Sequence, residues 1–135
     1  MPRRLRASAP GNVRFLGAVD DAHLRWLYAN CRALVCAGFE SYGLTPLEGA
    51  AFGKPTVALR LGGLADVVAE GRTGEFFERA DADAIADAVR RLDPNRYEDA
   101  AFQRVRDEHT ARAFIAGLRA VVGQELARAG KPVAR

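Results

Sequence analysis

Apolar positions along this chain fall into short blocks whose spacing switches between the period of a strand and that of a helix. After a turn signal at Pro10-Gly11-Asn12, the run Val13-Arg14-Phe15-Leu16 alternates like a strand and is closed by Gly17. Beyond Asp20, residues His23, Leu24, Trp26, Leu27 and Tyr28 recur near helical spacing as far as Cys31, which predicts a helix capped by Asp20. Ala33-Leu34-Val35-Cys36 is an unbroken apolar run, the pattern of a strand covered on both faces. A loop from Gly38 to Gly43 then leads into a predicted helix over 45–52, stopped by Gly53.

The remaining blocks repeat the scheme. The pattern predicts a strand over 55–59, a short helix over 64–69 behind Gly62-Gly63, and a strand over 75–78 behind the turn Gly71-Arg72-Thr73-Gly74. Asp81 caps a helix with Ile85, Val89 and Leu92 on one face. Asp93-Pro94-Asn95 breaks the chain before a helix over 96–108, and a last helix over 110–129 carries Phe114, Ile115, Leu118, Val121, Val122 and Leu126 as its apolar stripe. Strand and helix alternate four times, so the expected fold is α/β: an open parallel sheet of about four strands with flanking helices and a helical C-terminus. Ligands of such sheets sit at the carboxyl ends of the strands, which singles out the loops after Leu16, Cys36 and Leu59.

Composition narrows the function classes. The 135 residues suffice for one ordinary domain with a real core, and 49% apolar with 27% charged residues describes a globular chain. A net charge of +3, from 20 basic and 17 acidic side chains, favours phosphate-bearing partners only weakly, and no basic and aromatic residues interleave to stack bases. Nucleic acid is therefore not expected as a partner. Cys31 and Cys36 are too few for a disulfide framework and read as small core residues in a reduced, cytoplasmic setting. His23 and His109 have no companion suited to metal binding or catalysis and are read as surface residues.

The candidate chemistry lies in the loop after Cys36, Gly38-Phe39-Glu40-Ser41-Tyr42-Gly43-Leu44-Thr45-Pro46-Leu47-Glu48. A glycine-bearing turn from strand to helix presents free N–H groups and the positive end of the helix dipole, which together make an anion site. Glu40 and Glu48 flank that turn; beside a phosphate they would repel it unless they face sugar or ribose hydroxyls, and a nucleotide sugar offers both. Glu48 also has a purely structural reading, because Thr45-Pro46-Leu47-Glu48 spells a capping box with proline at the first helical position. Arg60, in the loop after the third predicted strand, is either a phosphate contact or, more commonly for such a residue, a solvated charge.

The segment from Glu40 to Glu48 resembles the motif of two glutamates separated by seven residues that marks the glycosyltransferase group 1 family (family 4), whose members have the GT-B fold of two facing Rossmann-like domains. Ala51-Phe52-Gly53-Lys54-Pro55, Gly62-Gly63-Leu64-Ala65-Asp66-Val67-Val68 and Gly71-Arg72-Thr73-Gly74 resemble the segments that follow it, and the likeness runs in order from about Asn12 to Leu92. Ala37 stands where many relatives carry serine, and Asp66 where glutamate is commoner. The resemblance implies a retaining transfer of a sugar from a nucleotide-diphosphate sugar, with no cofactor and no metal. It implies that Glu40 lies by the transferred sugar and the leaving phosphate, that the backbone of Gly43, Leu44 and Thr45 holds the diphosphate, and that Glu48 accepts from the ribose hydroxyls.

By the same resemblance the chain divides into a basic lead-in (1–12), a donor-nucleotide-binding α/β core (13–92) and C-terminal helices (93–135). Arg3, Arg4 and Arg6 are read as part of the helix before Val13. Family members are more than twice as long, so the chain is expected to be one piece of such an enzyme, inactive alone; a non-catalytic binding module of the same fold is the alternative. Two strands of the family's domain, expected between 13–16 and 33–36, have no counterpart here, so the first strand is expected to move over, swap into a second copy, or pair with the missing N-terminal half. The expected partners are accordingly a nucleotide sugar and that half, or a second copy in a homodimer. The last helix is expected to pack its stripe on that half or on the sheet. Its basic side (Arg112, Arg119, Arg128, Lys131) also allows peripheral contact with the inner face of a membrane. A generic dinucleotide-binding domain is disfavoured, since no G-x-G-x-x-G follows any predicted strand.

Overall fold

A computed structural model describes residues 3–93 and 95–130. Its elements, in chain order, are α1 (Arg3–Ser8), α2 (Asp21–Asn30), β1 (Leu34–Cys36), α3 (Leu44–Ala51), β2 (Thr56–Leu59), α4 (Gly63–Val67), β3 (Gly74–Phe77), α5 (Ala82–Arg91), α6 (Asp99–Glu108) and α7 (Ala111–Arg128). The fold is α/β, as expected, with an open sheet of three parallel strands in the order β1-β2-β3. Two expected caps form, Asp20 accepting from the His23 N–H and Asp81 from Ala84, and Thr110, placed inside the last helix by the sequence pattern, caps it by accepting from Ala113. Pro94, the expected breaker, and Lys131 lie outside the described residues, as do the ends of the lead-in and of the C-terminal segment.

Strand register sorts the core into layers. Cys36, Ala58 and Phe76 stand side by side across the sheet and bury against Leu64 and Val68. On the other face Val57 and Phe77 pack on Ala88 of α5, with Ile85 and Leu92 at the margin. A third cluster, Ala50, Val67, Phe102 and Val105, joins α3, α4 and α6. Burial of these side chains, at roughly 25 cal/mol per Å² of apolar surface, is the main force holding the helices to the sheet.

Three expectations are corrected. Residues 13–16 form no strand: Val13 donates to Pro10 O in a turn, and Val13 and Leu16 stay exposed. Alternation makes a strand only where a neighbouring strand can pair, and among the described residues none lies alongside; Phe15 rests under the Arg6 guanidinium instead, 6.0 Å from its centroid. The sheet thus has three strands, not about four. Nor is β1 covered on both faces. Helix α5 packs on β2 and β3 and stops short of β1, so Val35 is 53% exposed beside an open groove lined by Ala33, Val57, Val89 and Leu92. Finally, of the two places expected for the stripe of α7, the sheet is not the one it takes, and packing on a facing half stays an expectation. It touches α6, and Phe114, Ile115, Leu118, Val121 and Val122 face outward.

Candidate functional site

The parallel strands bring two loops together at their carboxyl ends. The loop after β1 (37–43) feeds α3, and the loop after β2 (60–62) feeds α4. They cross backbone against backbone, with the Gly63 N–H donating to Glu40 O at 2.8 Å. A Cβ at Gly63 would stand 2.4 Å from the Tyr42 carbonyl carbon, and one at Gly62, whose φ is +59°, would stand 2.5 Å from Glu40 O. Only glycine permits this crossing.

Gly43, at φ +84°, is the residue that turns the chain into α3. It takes the cap position without a side-chain hydrogen bond, so the opening N–H groups of α3, at Leu44 and Thr45, receive no side-chain acceptor. Of the two readings of Glu48, the capping box is the one that the structure rules out. The helix starts two residues earlier than that box requires, Pro46 occupies its third position instead of its first, and Thr45 is already helical. Glu48 is thereby freed from a capping role. Its carboxylate instead accepts from the Tyr28 hydroxyl, Oη to Oε2, at 2.5 Å.

The candidate residues therefore fall along one stretch: Glu40 half-buried in the crossing loop, Gly43 buried at the turn, Leu44 and Thr45 at the open helix start, and Glu48 one turn on. The two carboxylates act on different neighbours, Glu40 on Cys36 at the end of β1 and Glu48 on Tyr28 of α2. Burial first, and then the Glu40 charge, push the Cys36 thiol up to about 11. Tyr28 is held well above the ordinary tyrosine range by burial, by its bond to Glu48, and by the charges of Glu48, Cys36 and Cys31. Phe39, Tyr42 and Leu44 line the same loop and are 68%, 58% and 60% exposed, so the rim of the site is apolar and open. Beside Glu48 a groove of about 410 Å³ runs between α2 and α3, lined among others by Leu24, Arg25, Tyr28 and Phe52.

Arg60 points elsewhere. It donates to Glu70 at 2.5 Å and Glu78 at 2.7 Å and lies 4.1 Å from the Phe76 ring centroid, so it braces β3 and is neither a free phosphate ligand nor a merely solvated charge. His23 and His109 are exposed, and Cys31 and Cys36 are free thiols. Sequence reasoning missed Tyr28: it lies twenty residues from Glu48 on a separate helix, and only its place on the apolar side of α2 hinted at contact with the core. No helix among the described residues is long and apolar enough to cross a membrane.

Comparison with known proteins adds a second line of argument. The family model described as "Glycosyl transferases group 1" matches residues 1–94, more than half of the chain. Glycogen synthase of Thermus thermophilus is 40% identical over 90 residues, covering 66% of this chain and 21% of that protein. The alpha-1,3/1,6-mannosyltransferase ALG2 of Dictyostelium discoideum is 33% identical over 116 residues, covering 82% of this chain and 27% of that protein. Among solved structures, sucrose-phosphate synthase from Thermosynechococcus elongatus superposes with a TM-score of 0.69 at 27% identity, covering 85% of this chain and 30% of that one. The chain thus spans about a fifth to a quarter of the length of the curated relatives it matches.

Proposed function

Since the chain belongs to the glycosyltransferase group 1 family, we propose that it forms the donor-binding part of a retaining glycosyltransferase that moves a hexose from a nucleotide-diphosphate sugar to an acceptor. The observation that supports this most is the uncapped start of α3 at the carboxyl end of β1, flanked by Glu40 and Glu48. The diphosphate rests on the N–H groups of Gly43, Leu44 and Thr45. As the bond between the anomeric carbon and the leaving oxygen breaks, negative charge gathers on that diphosphate, and fixed donors at a helix start stabilise it without reorganising. These donors do the work of a counter-cation, and no metal is invoked. Glu40 lies on the sugar side, where a carboxylate opposes the positive charge developing on the ring, and Glu48 accepts from the ribose.

In this reading the isolated chain binds donor and does not turn over, because acceptor contacts come from a facing half. A second reading, a binding module of the same fold without catalysis, draws support from the exposed Phe39, Tyr42 and Leu44, which offer a partner an apolar rim. Titration calorimetry of the chain with uridine, guanosine and adenosine diphosphates tests what both readings share. Binding of one of them at millimolar concentration or below is expected, and no heat from any of the three overturns both. Donor hydrolysis after addition of the facing half then separates enzyme from module.

A further inference from the structure

Glu48 is exposed, and a lone carboxylate on three rotatable bonds would spread over several rotamers. Here it does not stand alone. Tyr28 reaches across from α2 and donates its hydroxyl to Oε2 at 2.5 Å, while its ring stacks on Phe52, the residue that ends α3, with centroids 5.5 Å apart and planes 10° apart. Tyr28 is thus fixed at both ends by α3, through the ring by Phe52 and through the hydroxyl by Glu48. We propose that Tyr28 is a positioning residue of the donor site: by holding one oxygen of Glu48 it aims the other, Oε1, at a ribose hydroxyl, and so sets a preference for ribonucleoside over deoxyribonucleoside diphosphates.

The inference rests on the donor-site reading above and adds to it a residue that touches no substrate. Its physical basis is direct. A short hydrogen bond to a charged acceptor removes rotamer freedom from Glu48 before the ligand arrives, so the ligand does not have to order it. Because Tyr28 stays protonated well beyond physiological pH, its hydroxyl keeps the proton that it donates to Glu48. Oε1 is then left wholly for the ribose, and recognition is expected to run through that one oxygen.

Tyr28→Phe keeps the ring and its stack on Phe52 and deletes only the donor, so the fold is preserved; a cooperative thermal transition together with the wild-type circular dichroism spectrum verifies this. The probes are uridine, guanosine and adenosine diphosphates and their 2′-deoxy and 3′-deoxy forms, titrated into the full 135-residue chain. Wild type should bind one ribonucleotide more tightly than one of its deoxy forms. Tyr28→Phe should weaken the ribonucleotide by about fivefold, the cost of ordering one side chain on binding, leave the deoxy form unchanged, and so flatten the ratio; Glu48→Gln should flatten it further. If Tyr28→Phe binds the ribonucleotide as tightly and as selectively as wild type, or more tightly, Tyr28 is a spectator or a competitor and the inference is overturned while the donor site stands. If wild type binds no nucleotide at all, the donor-site reading itself falls and takes this inference with it.

Discussion

Replacing Gly63 with alanine adds one methyl group where two backbones cross. That methyl would stand 2.4, 2.5 and 2.6 Å from the carbonyl carbon, Cα and nitrogen of Tyr42, all main-chain atoms with no flexible end to swing aside. Ordinary contact needs roughly 3.5 Å or more, so the loops must part by about 1 Å. The Gly63 N–H to Glu40 O bond, now 2.8 Å, then stretches beyond useful length. Overpacking of this kind costs about 1–3 kcal/mol, and the lost hydrogen bond about 1 kcal/mol. Together they remove about 2–4 kcal/mol from a domain whose whole stability is about 5–15 kcal/mol. Gly117→Ala is the control: it lies inside α7 with nothing within 4 Å of the added methyl, so it should stabilise by about 0.5–1 kcal/mol. Urea unfolding followed by far-ultraviolet circular dichroism reads both. A Gly63→Ala midpoint equal to wild type would mean that the two loops are not locked together, and the geometry proposed for the site would lose its frame.

Other expectations follow from the same contacts. In the enzyme completed by the facing half, Glu40→Ala should lower kcat far more than it weakens nucleotide binding, since the role proposed for its carboxylate is against charge that develops only in the transition state; steady-state kinetics set against calorimetry decide it. Cys36 titrates at about 11 in the folded chain against 9.0 ordinarily, so the folded state holds a proton that the unfolded state has already lost between those values. Stability should therefore be intact below pH 9 and fall by about 2 kcal/mol as the pH rises to about 11; Cys36→Ala should flatten that part of the decline, and an unchanged slope would count against the buried thiol as its source. Tyr97→Phe removes the hydroxyl that donates at 2.9 Å to Glu75, a side chain only 7% exposed, and among the described residues leaves it the Arg96 guanidinium at 4.0 Å. The loss should be about 1–3 kcal/mol by urea titration, with nucleotide binding unaffected.

Much of this fold is legible in local sequence. Asp20 and Asp81 announce their helices because a side-chain cap is a short-range interaction, settled within three residues. Strands β2 and β3 are legible because both their faces are covered, so the short apolar stretches Val57-Ala58-Leu59 and Phe76-Phe77 stand out between turn signals. What fails is whatever depends on a neighbour distant in sequence. Residues 13–16 have the pattern of a strand but nothing to pair with, and Val35 belongs to a run that looks doubly buried but faces an open groove. The capping box at Thr45-Pro46-Leu47-Glu48 is satisfied in sequence and absent in structure, because Gly43 reaches the left-handed conformation two residues sooner and starts the helix there. The same early start frees Glu48 for Tyr28, a partner that no local pattern could name.

The central claim is that a nucleoside diphosphate settles on the amides opening α3. Nitrogen-proton correlation spectra of the labelled chain, recorded while uridine, guanosine or adenosine diphosphate is added, look at those amides directly. The account predicts that one nucleotide shifts the signals of Gly43, Leu44 and Thr45 first and most, with Glu48 following. Shifts confined to other surfaces, with these amides unmoved at saturating ligand, would contradict it.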